Sequence, residues 1–394
     1  MPDLPFPQPM ASGWSFPGAG AALEIDLDAI AANYRLLDAR TGAATCAAVV
    51  KADAYGLGAD RVAPVLEQAG ARVFFVAHLE EGIRLRPHVS PAARIFVLHG
   101  PMPGTEALFT HHALLPVLNS MEQVARWRAH AALAHRALPA AVQVDTGMSR
   151  FGLSEADVAT LAQTPALLDG IDTKLVMSHL ACADTPENPA NAMQRDRMRA
   201  MAARLPAAPW ALSASSGIFL GPDYHFNLVR PGAALYGLAP NAQAPNPLRP
   251  TVRLRARIVQ RRAITAGDGV GYGLTWRAPG PRRIATLGIG YADGFLRSGA
   301  NGGGCAWLGD YRLPILGRIS MDSTTVDVND VPESVLDAAT HVDMIGPRRS
   351  VDDVAHGAGT IGYEVLTALG SRFHRTYRHP VACDASPRQN KASV

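Results

Sequence analysis

The stretch Ala47-Ala48-Val49-Val50-Lys51-Ala52-Asp53-Ala54-Tyr55-Gly56-Leu57-Gly58 sets an apolar run against one lysine and closes on two glycines. A short apolar run bounded by turn signals reads as a buried strand, here Cys46 to Val50. Seven further runs follow at intervals filled by Ala-, Leu- and Arg-rich stretches of helical spacing. They are Val73 to Ala77, Arg94 to Leu98, Leu114 to Leu118, Ala141 to Asp145, Lys174 to Ser178, Trp210 to Ser213 and Ala234 to Leu238. This alternation predicts βα units and a parallel sheet, and eight strands close a (β/α)8, TIM-like barrel. Such barrels keep their chemistry at the C-terminal ends of the strands, which is where Lys51 falls.

Working outward, the Pro-rich segment Ala239 to Pro250 follows the eighth run, and the pattern beyond it changes. Arg253 to Ile264, Arg283 to Tyr291, Leu313 to Ser320, Thr324 to Val328 and His341 to Ile345 read as strands of a mainly antiparallel β domain. One helix is expected near Tyr363 to Gly370. The expected division is a flexible arm over 1–22, the α/β barrel over 23–244, a C-terminal β domain over 245–385 and a tail over 386–394. A length of 394 residues agrees with two domains.

Charged residues are 18% of the chain and the net charge is +3. That leaves no electrostatic case for a nucleic-acid or membrane partner and favours a small-molecule function. Cys46, Cys182, Cys305 and Cys383 form no metal-ligand spacing, and no metal is expected. They read as free thiols in a reducing cytosol. Met1 to Ala22 has neither a basic n-region nor a continuous apolar h-region, so a soluble, cytoplasmic protein is expected.

A lysine among apolar neighbours loses its proton more easily than one in water, as an amine that attacks carbonyls must; a strand-end lysine reaching solvent is the plain alternative. Arg150, in Val144-Asp145-Thr146-Gly147-Met148-Ser149-Arg150-Phe151-Gly152-Leu153, suits a carboxylate because a guanidinium stays charged and forks two donors onto it. Taken alone it is more often a surface arginine, and His179, in Met177-Ser178-His179-Leu180, more often a satisfied structural histidine. Ser213-Ala214-Ser215-Ser216-Gly217 and Val229-Arg230-Pro231-Gly232-Ala233 supply small hydroxyls and backbone N–H groups to late barrel loops, where phosphate is commonly held.

These strings, in this order, resemble the alanine racemases, from Ile25-Asp26-Leu27-Asp28 to Arg375. The resemblance implies pyridoxal 5'-phosphate attached to Lys51, with Tyr55, Ser216, Gly232, Ala233 and Tyr363 at its phosphate. It puts Arg150 beside the ring's phenolic oxygen and the substrate carboxylate, and His179 behind Arg230, which faces the pyridine nitrogen. An always-charged donor cannot hand that nitrogen a proton, so the ring is a weaker electron sink.

Val270-Gly271-Tyr272-Gly273-Leu274-Thr275-Trp276 resembles the segment that supplies a second base from a partner subunit, and Gly317-Arg318-Ile319-Ser320-Met321-Asp322 one whose methionine N–H meets the substrate. The resemblance therefore implies Lys51 and Tyr272 as opposed bases. It also implies Met321 acting in trans, an access channel of Tyr291, Asp184 and Arg318, and a head-to-tail homodimer that turns L-alanine into D-alanine and back for peptidoglycan. For the tyrosines, packing is the other reading. Many members carry a carbamylated lysine where this chain has Gln143, which is expected to accept a hydrogen bond from Arg150 instead. A broad-specificity racemase of the same fold would predict a signal peptide and paired cysteines. A non-catalytic pyridoxal-phosphate carrier would need neither Tyr272 nor a second domain.

Overall fold

The computed structural model describes residues 18–300 and 303–379. Its first strand, β1 (Ala21–Asp26), ends in Asp26, whose carboxylate accepts the Ala29 N–H at 2.8 Å and so caps the helix Leu27–Arg40. The run that carries Lys51 is a strand broken at Ala47 into β2 (Thr45–Cys46) and β3 (Ala48–Val49). The later staves are β4 (Val73–Val76), β5 (Arg94–Val97), β6 (Leu115–Leu118), β7 (Leu138–Gln143), β8 (Ile171–Met177), β9 (Trp210–Ala214) and β10 (Leu228–Arg230). Every pairing among them is parallel. Because β3 pairs with β4 while β2 pairs with β10, the broken strand is the stave that closes the ring.

Seven of the eight expected staves form where the apolar runs lie, and the eighth does not. Ala234 to Leu238 is a tight 3-10 turn, Ala233–Tyr236, and the eighth stave is β10, ended by Pro231. The turn is apolar throughout because it is buried against the helix Leu27–Arg40, where Asn33 Nδ2 donates to the Leu235 carbonyl at 3.2 Å. A short run buried on all sides has the same composition in a strand and in a turn.

The second sheet is built on the 13-residue β11 (Val252–Ile264), in which Val252, Leu254 and Ala256 point inward between Arg253, Arg255 and Arg257. After it come the hairpin β12 (Gly269–Val270) and β13 (Trp276–Arg277), then β14 (Arg282–Leu287), β15 (Cys305–Leu308), β16 (Tyr311–Pro314), β17 (Thr324–Asp327), β18 (His341–Ile345) and β19 (His374–Arg378). All its pairs are antiparallel except β1 with β19. Thus β1, where no strand was expected and whose residues fall partly in the expected arm (Ala21 and Ala22) and partly in the expected barrel domain (Leu23 to Asp26), is hydrogen-bonded into the second sheet. Three helices lie here where one was expected: Glu333–Ala338, Val351–Ala358 and Gly362–Ala368.

Cys46, Cys182 and Cys305 are free thiols, while Cys383, residues 1–17 of the expected arm and the tail lie outside the described residues. No described helix is long and apolar enough to cross a membrane. The second domain sits on the barrel mouth: Arg375 donates to the Gly56 carbonyl, and a Cβ on Gly56 would lie 2.8 Å from the Leu366 carbonyl oxygen.

Candidate active site

Lys51 follows the buried Val50 at the top of the closing stave, and the chain then does something L-residues avoid. Ala52, Asp53, Ala54 and Tyr55 all take left-handed backbone, with φ of 52°, 54°, 53° and 57°. Each such residue costs about 1–2 kcal/mol, so the turn persists only because its surroundings hold it. Glu81 does much of that work. One of its oxygens accepts the Ala52 N–H at 2.7 Å, and the other accepts the N–H groups of Ala77 at 2.7 Å and His78 at 3.1 Å. Asp53 accepts the Ala59 N–H at 2.8 Å, which ties the far end down. Burial, helped by the Arg150 charge and opposed by Glu81, lowers the proton affinity of the Lys51 amine.

The left-handed turn swings Tyr55 back into the barrel top, its ring centroid 4.7 Å from that of Tyr236 and 6.3 Å from that of Tyr363. Gly232 faces it so closely that a Cβ would collide with the Tyr55 oxygen. Ser216 hydrogen-bonds the Tyr363 phenol, which burial pushes up. Ser215, whose neighbour Ser216 was singled out from the same string, accepts the Gly232 and Ala234 N–H groups, each at 3.0 Å. Of the two backbone donors expected to hold a phosphate, only the Ala233 N–H is thereby left without an acceptor among the described residues.

Arg230 is buried at the end of β10. Its Nη2 donates to the carbonyls of Ser178 and Leu212 and lies 3.5 Å from His179 Nδ1, while Nη1 has no acceptor among the described residues. Burial pulls the guanidinium down to about 10, still charged at neutral pH. Burial, then the charges of Arg230, Arg150 and Lys51, push His179 down to about 3, so its imidazole is neutral.

Arg150 stands on a turn wound around Asp145, whose carboxylate accepts the N–H groups of Gly147 and Met148 at 2.9 Å and of Ser149 at 3.1 Å. Gly152 brings the chain back, since a Cβ there would lie 2.6 Å from the Val144 carbonyl carbon. The expected bond from Arg150 to Gln143 is not formed. The Gln143 amide instead donates to the Phe151 carbonyl at 3.4 Å, because the returning strand puts that carbonyl within its reach. Asp184 is exposed, and its charge is felt at Tyr363.

The remaining expected residues form a second group on the other domain. Tyr272 is 72% exposed and Met321 53%. A Cβ on Gly273 would lie 3.2 Å from Arg318 Nη1, which places that guanidinium under the Tyr272 turn. The Tyr291 N–H donates to the Ser320 carbonyl at 3.0 Å and the Ala292 N–H to the Met321 carbonyl at 2.9 Å, so the three strings meet on one surface. Among the described residues no hydrogen bond or ion pair joins this surface to Lys51, Arg150 or Arg230. Sequence reasoning missed Glu81, Ser215 and His99. Glu81 had a local signal as the fourth residue of a helix-starting box that begins at His78, and Ser215 had one in the small-hydroxyl string around it.

A closed parallel barrel that strains its backbone to present an easily deprotonated lysine, beside arginines with no anion to pair with, is an enzyme of amine chemistry on small anionic molecules. Two family models match the chain, the alanine racemase N-terminal domain over residues 25–240 and the alanine racemase C-terminal domain over 251–377. The chain is 50% identical over 378 residues to a catabolic alanine racemase of Agrobacterium fabrum, covering 96% of each. It is 49% identical to an alanine racemase of Brucella canis, covering 91% of this chain and 94% of that one. Among solved structures, alanine racemase from Bartonella henselae with covalently bound pyridoxal phosphate superposes with a TM-score of 0.87 at 38% identity, over 91% of this chain and all, 100%, of that one. The biosynthetic alanine racemase of Pseudomonas aeruginosa gives 0.83 at 34%, over 92% of this chain and 100% of the other. The chain belongs to the alanine racemase family and is an isomerase of that kind.

Proposed function

We propose that this chain interconverts L- and D-alanine with pyridoxal 5'-phosphate seated at the barrel mouth. When bound, the cofactor supplies an electron-withdrawing ring that acidifies the α-carbon of the amino acid attached to it. The residues present fit such a group. The unpartnered Arg230 Nη1 suits a ring nitrogen, and the Ala233 N–H with the Tyr55 and Tyr363 hydroxyls and Ser216 suits a phosphate. Arg150 holds the substrate carboxylate and Lys51 moves the proton on one face of the α-carbon. His179, neutral and bonded to Arg230, keeps that guanidinium in place.

Racemisation needs a second base on the opposite face, and Tyr272 serves there. Its exposure on the second domain, apart from its own Lys51, supports assembly of two copies head to tail, each giving Tyr272 and Met321 to the other's barrel. Tyr291, Arg318 and Asp184 then narrow the access channel. The enzyme works in the cytoplasm and supplies D-alanine for peptidoglycan; the catabolic name of the Agrobacterium relative favours, as a second reading, flux from L-alanine toward breakdown. The observation that carries the proposal is Lys51, lowered in proton affinity and presented by a strained turn. In deuterium oxide the holoenzyme should form D-alanine from L-alanine with deuterium at the α-carbon, and Tyr272→Phe should stop it while keeping the cofactor's absorbance. A wild type that binds cofactor and forms no D-alanine overturns the proposal.

A further inference from the structure

Arg150 is an arginine in company that repels it. Its charge lowers the proton affinity of both Lys51 and His179, and among the described residues its guanidinium has neither a hydrogen bond nor an ion pair. Gln143, the side chain expected to hold it, bonds the Phe151 backbone instead, and the Asp145 carboxylate is taken up by the N–H groups of Gly147, Met148 and Ser149. What the guanidinium does meet is the face of the Phe151 ring, 5.9 Å from its centroid. That is within the ~6 Å over which a cation is drawn to an aromatic face.

Phe151 is itself 41% exposed, too open to be fixed by core packing. It leans on His99, whose ring centroid is 5.4 Å away, and His99 meets His78 edge to face at 4.4 Å. The ladder is anchored at its far end. The His78 N–H is held by Glu81, and Gln123 Nε2 donates to the His99 carbonyl at 2.9 Å.

Resting on the role proposed above for Arg150, we infer that the ring ladder Phe151, His99 and His78 is the positioning device that holds Arg150 for the substrate carboxylate in this chain. The groups facing His99 are His78, Lys51, Arg150, Glu81 and Phe151. Burial first, then His78 and Lys51, lower its proton affinity, so it stacks as a neutral ring and adds no further cation beside Arg150.

The test is a set of variants of the holoenzyme read by alanine KM and kcat, by calorimetric affinity for propionate, and by the thermal midpoint. Arg150→Lys should weaken propionate and raise KM; if it does neither, the role assigned to Arg150 fails, whatever the ladder does. With that role in place, Phe151→Leu should raise KM and the propionate Kd roughly threefold to tenfold with kcat changed by less than about twofold, and Phe151→Tyr should restore both. Arg150→Lys acting while Phe151→Leu leaves both constants unchanged overturns the inference. Should Phe151→Leu not fold, His99→Leu against His99→Phe decides it: equal constants in the two contradict the ladder, and loss only in the leucine variant supports it.

Discussion

Gly232→Ala is a one-carbon perturbation aimed at the proposed phosphate end of the site. The new Cβ would collide with the Tyr55 hydroxyl oxygen while also lying 3.1 Å from Tyr55 Cζ and 3.3 Å from Val49 Cβ. Tyr55 cannot retreat, because Tyr236 packs behind its ring and the left-handed turn fixes its backbone. Overpacking of this kind costs about 1–3 kcal/mol, to be read in chemical denaturation of the apoenzyme. The cofactor should lose more, since displacing the hydroxyl removes a hydrogen bond to a charged phosphate worth about 1.5–3 kcal/mol, or roughly tenfold to a hundredfold in Kd. An absorbance titration of apoenzyme with pyridoxal 5'-phosphate measures it. Tyr55→Phe in the same chain removes the colliding oxygen, so the double variant should recover apoenzyme stability but not affinity. A single variant as stable and as tightly bound as wild type would refute the reasoning, as would a double variant no more stable than the single.

Glu81→Gln removes the charge that supports the Lys51 ammonium, so the lysine's proton affinity should fall further and the acid limb of kcat/KM should move to lower pH. It also leaves at least one of three backbone donors poorly matched, at about 1–3 kcal/mol in thermal stability. A limb moving to higher pH would contradict the charge argument. His179 is neutral when folded, pushed down to about 3 from an unfolded value of 6.5. The unfolded chain therefore binds the extra proton between those values, and stability present above pH 6.5 is lost as the pH falls toward 3. At pH 5 the loss is about 2 kcal/mol, and His179→Gln should flatten the slope of unfolding free energy against pH across that window. An unchanged slope would mean the imidazole is not buried as described.

The barrel was legible because its staves are buried on both faces and so appear as separate apolar runs, with turn residues between them. The same property misled at Ala234 to Leu238, where a buried turn and a buried strand share one composition, and only Pro231 marked where the strand had stopped. No strand was expected at β1, and the boundary at residue 23 put most of it with the barrel; its partners β11 and β19 lie more than two hundred residues away, and no local pattern carries that pairing. In the site, Lys51 stood out by residue type at a strand end, whereas Arg230 was read from the family resemblance, in a loop ahead of the expected eighth strand. The left-handed turn after Lys51 could not be foreseen, because Ala-Asp-Ala-Tyr has no glycine to announce positive φ, and Glu81, which braces it, is thirty residues distant. Gln143 was expected to meet Arg150 because it stands where many family members carry the lysine that holds this arginine, and the winding of the turn around Asp145 carries the guanidinium elsewhere.

The central claim is that each site is built from two chains, Lys51 from one and Tyr272 from the other. Co-expression of Lys51→Ala with Tyr272→Phe tests it directly, since each variant alone should be inactive and, with shared sites, mixed dimers carry both lesions in one site and none in the other. Random pairing leaves about one site in four intact, so the mixture should recover roughly a quarter of the wild-type rate of D-alanine formation. A mixture no more active than the separate variants would place both residues in the same chain's site and contradict the account.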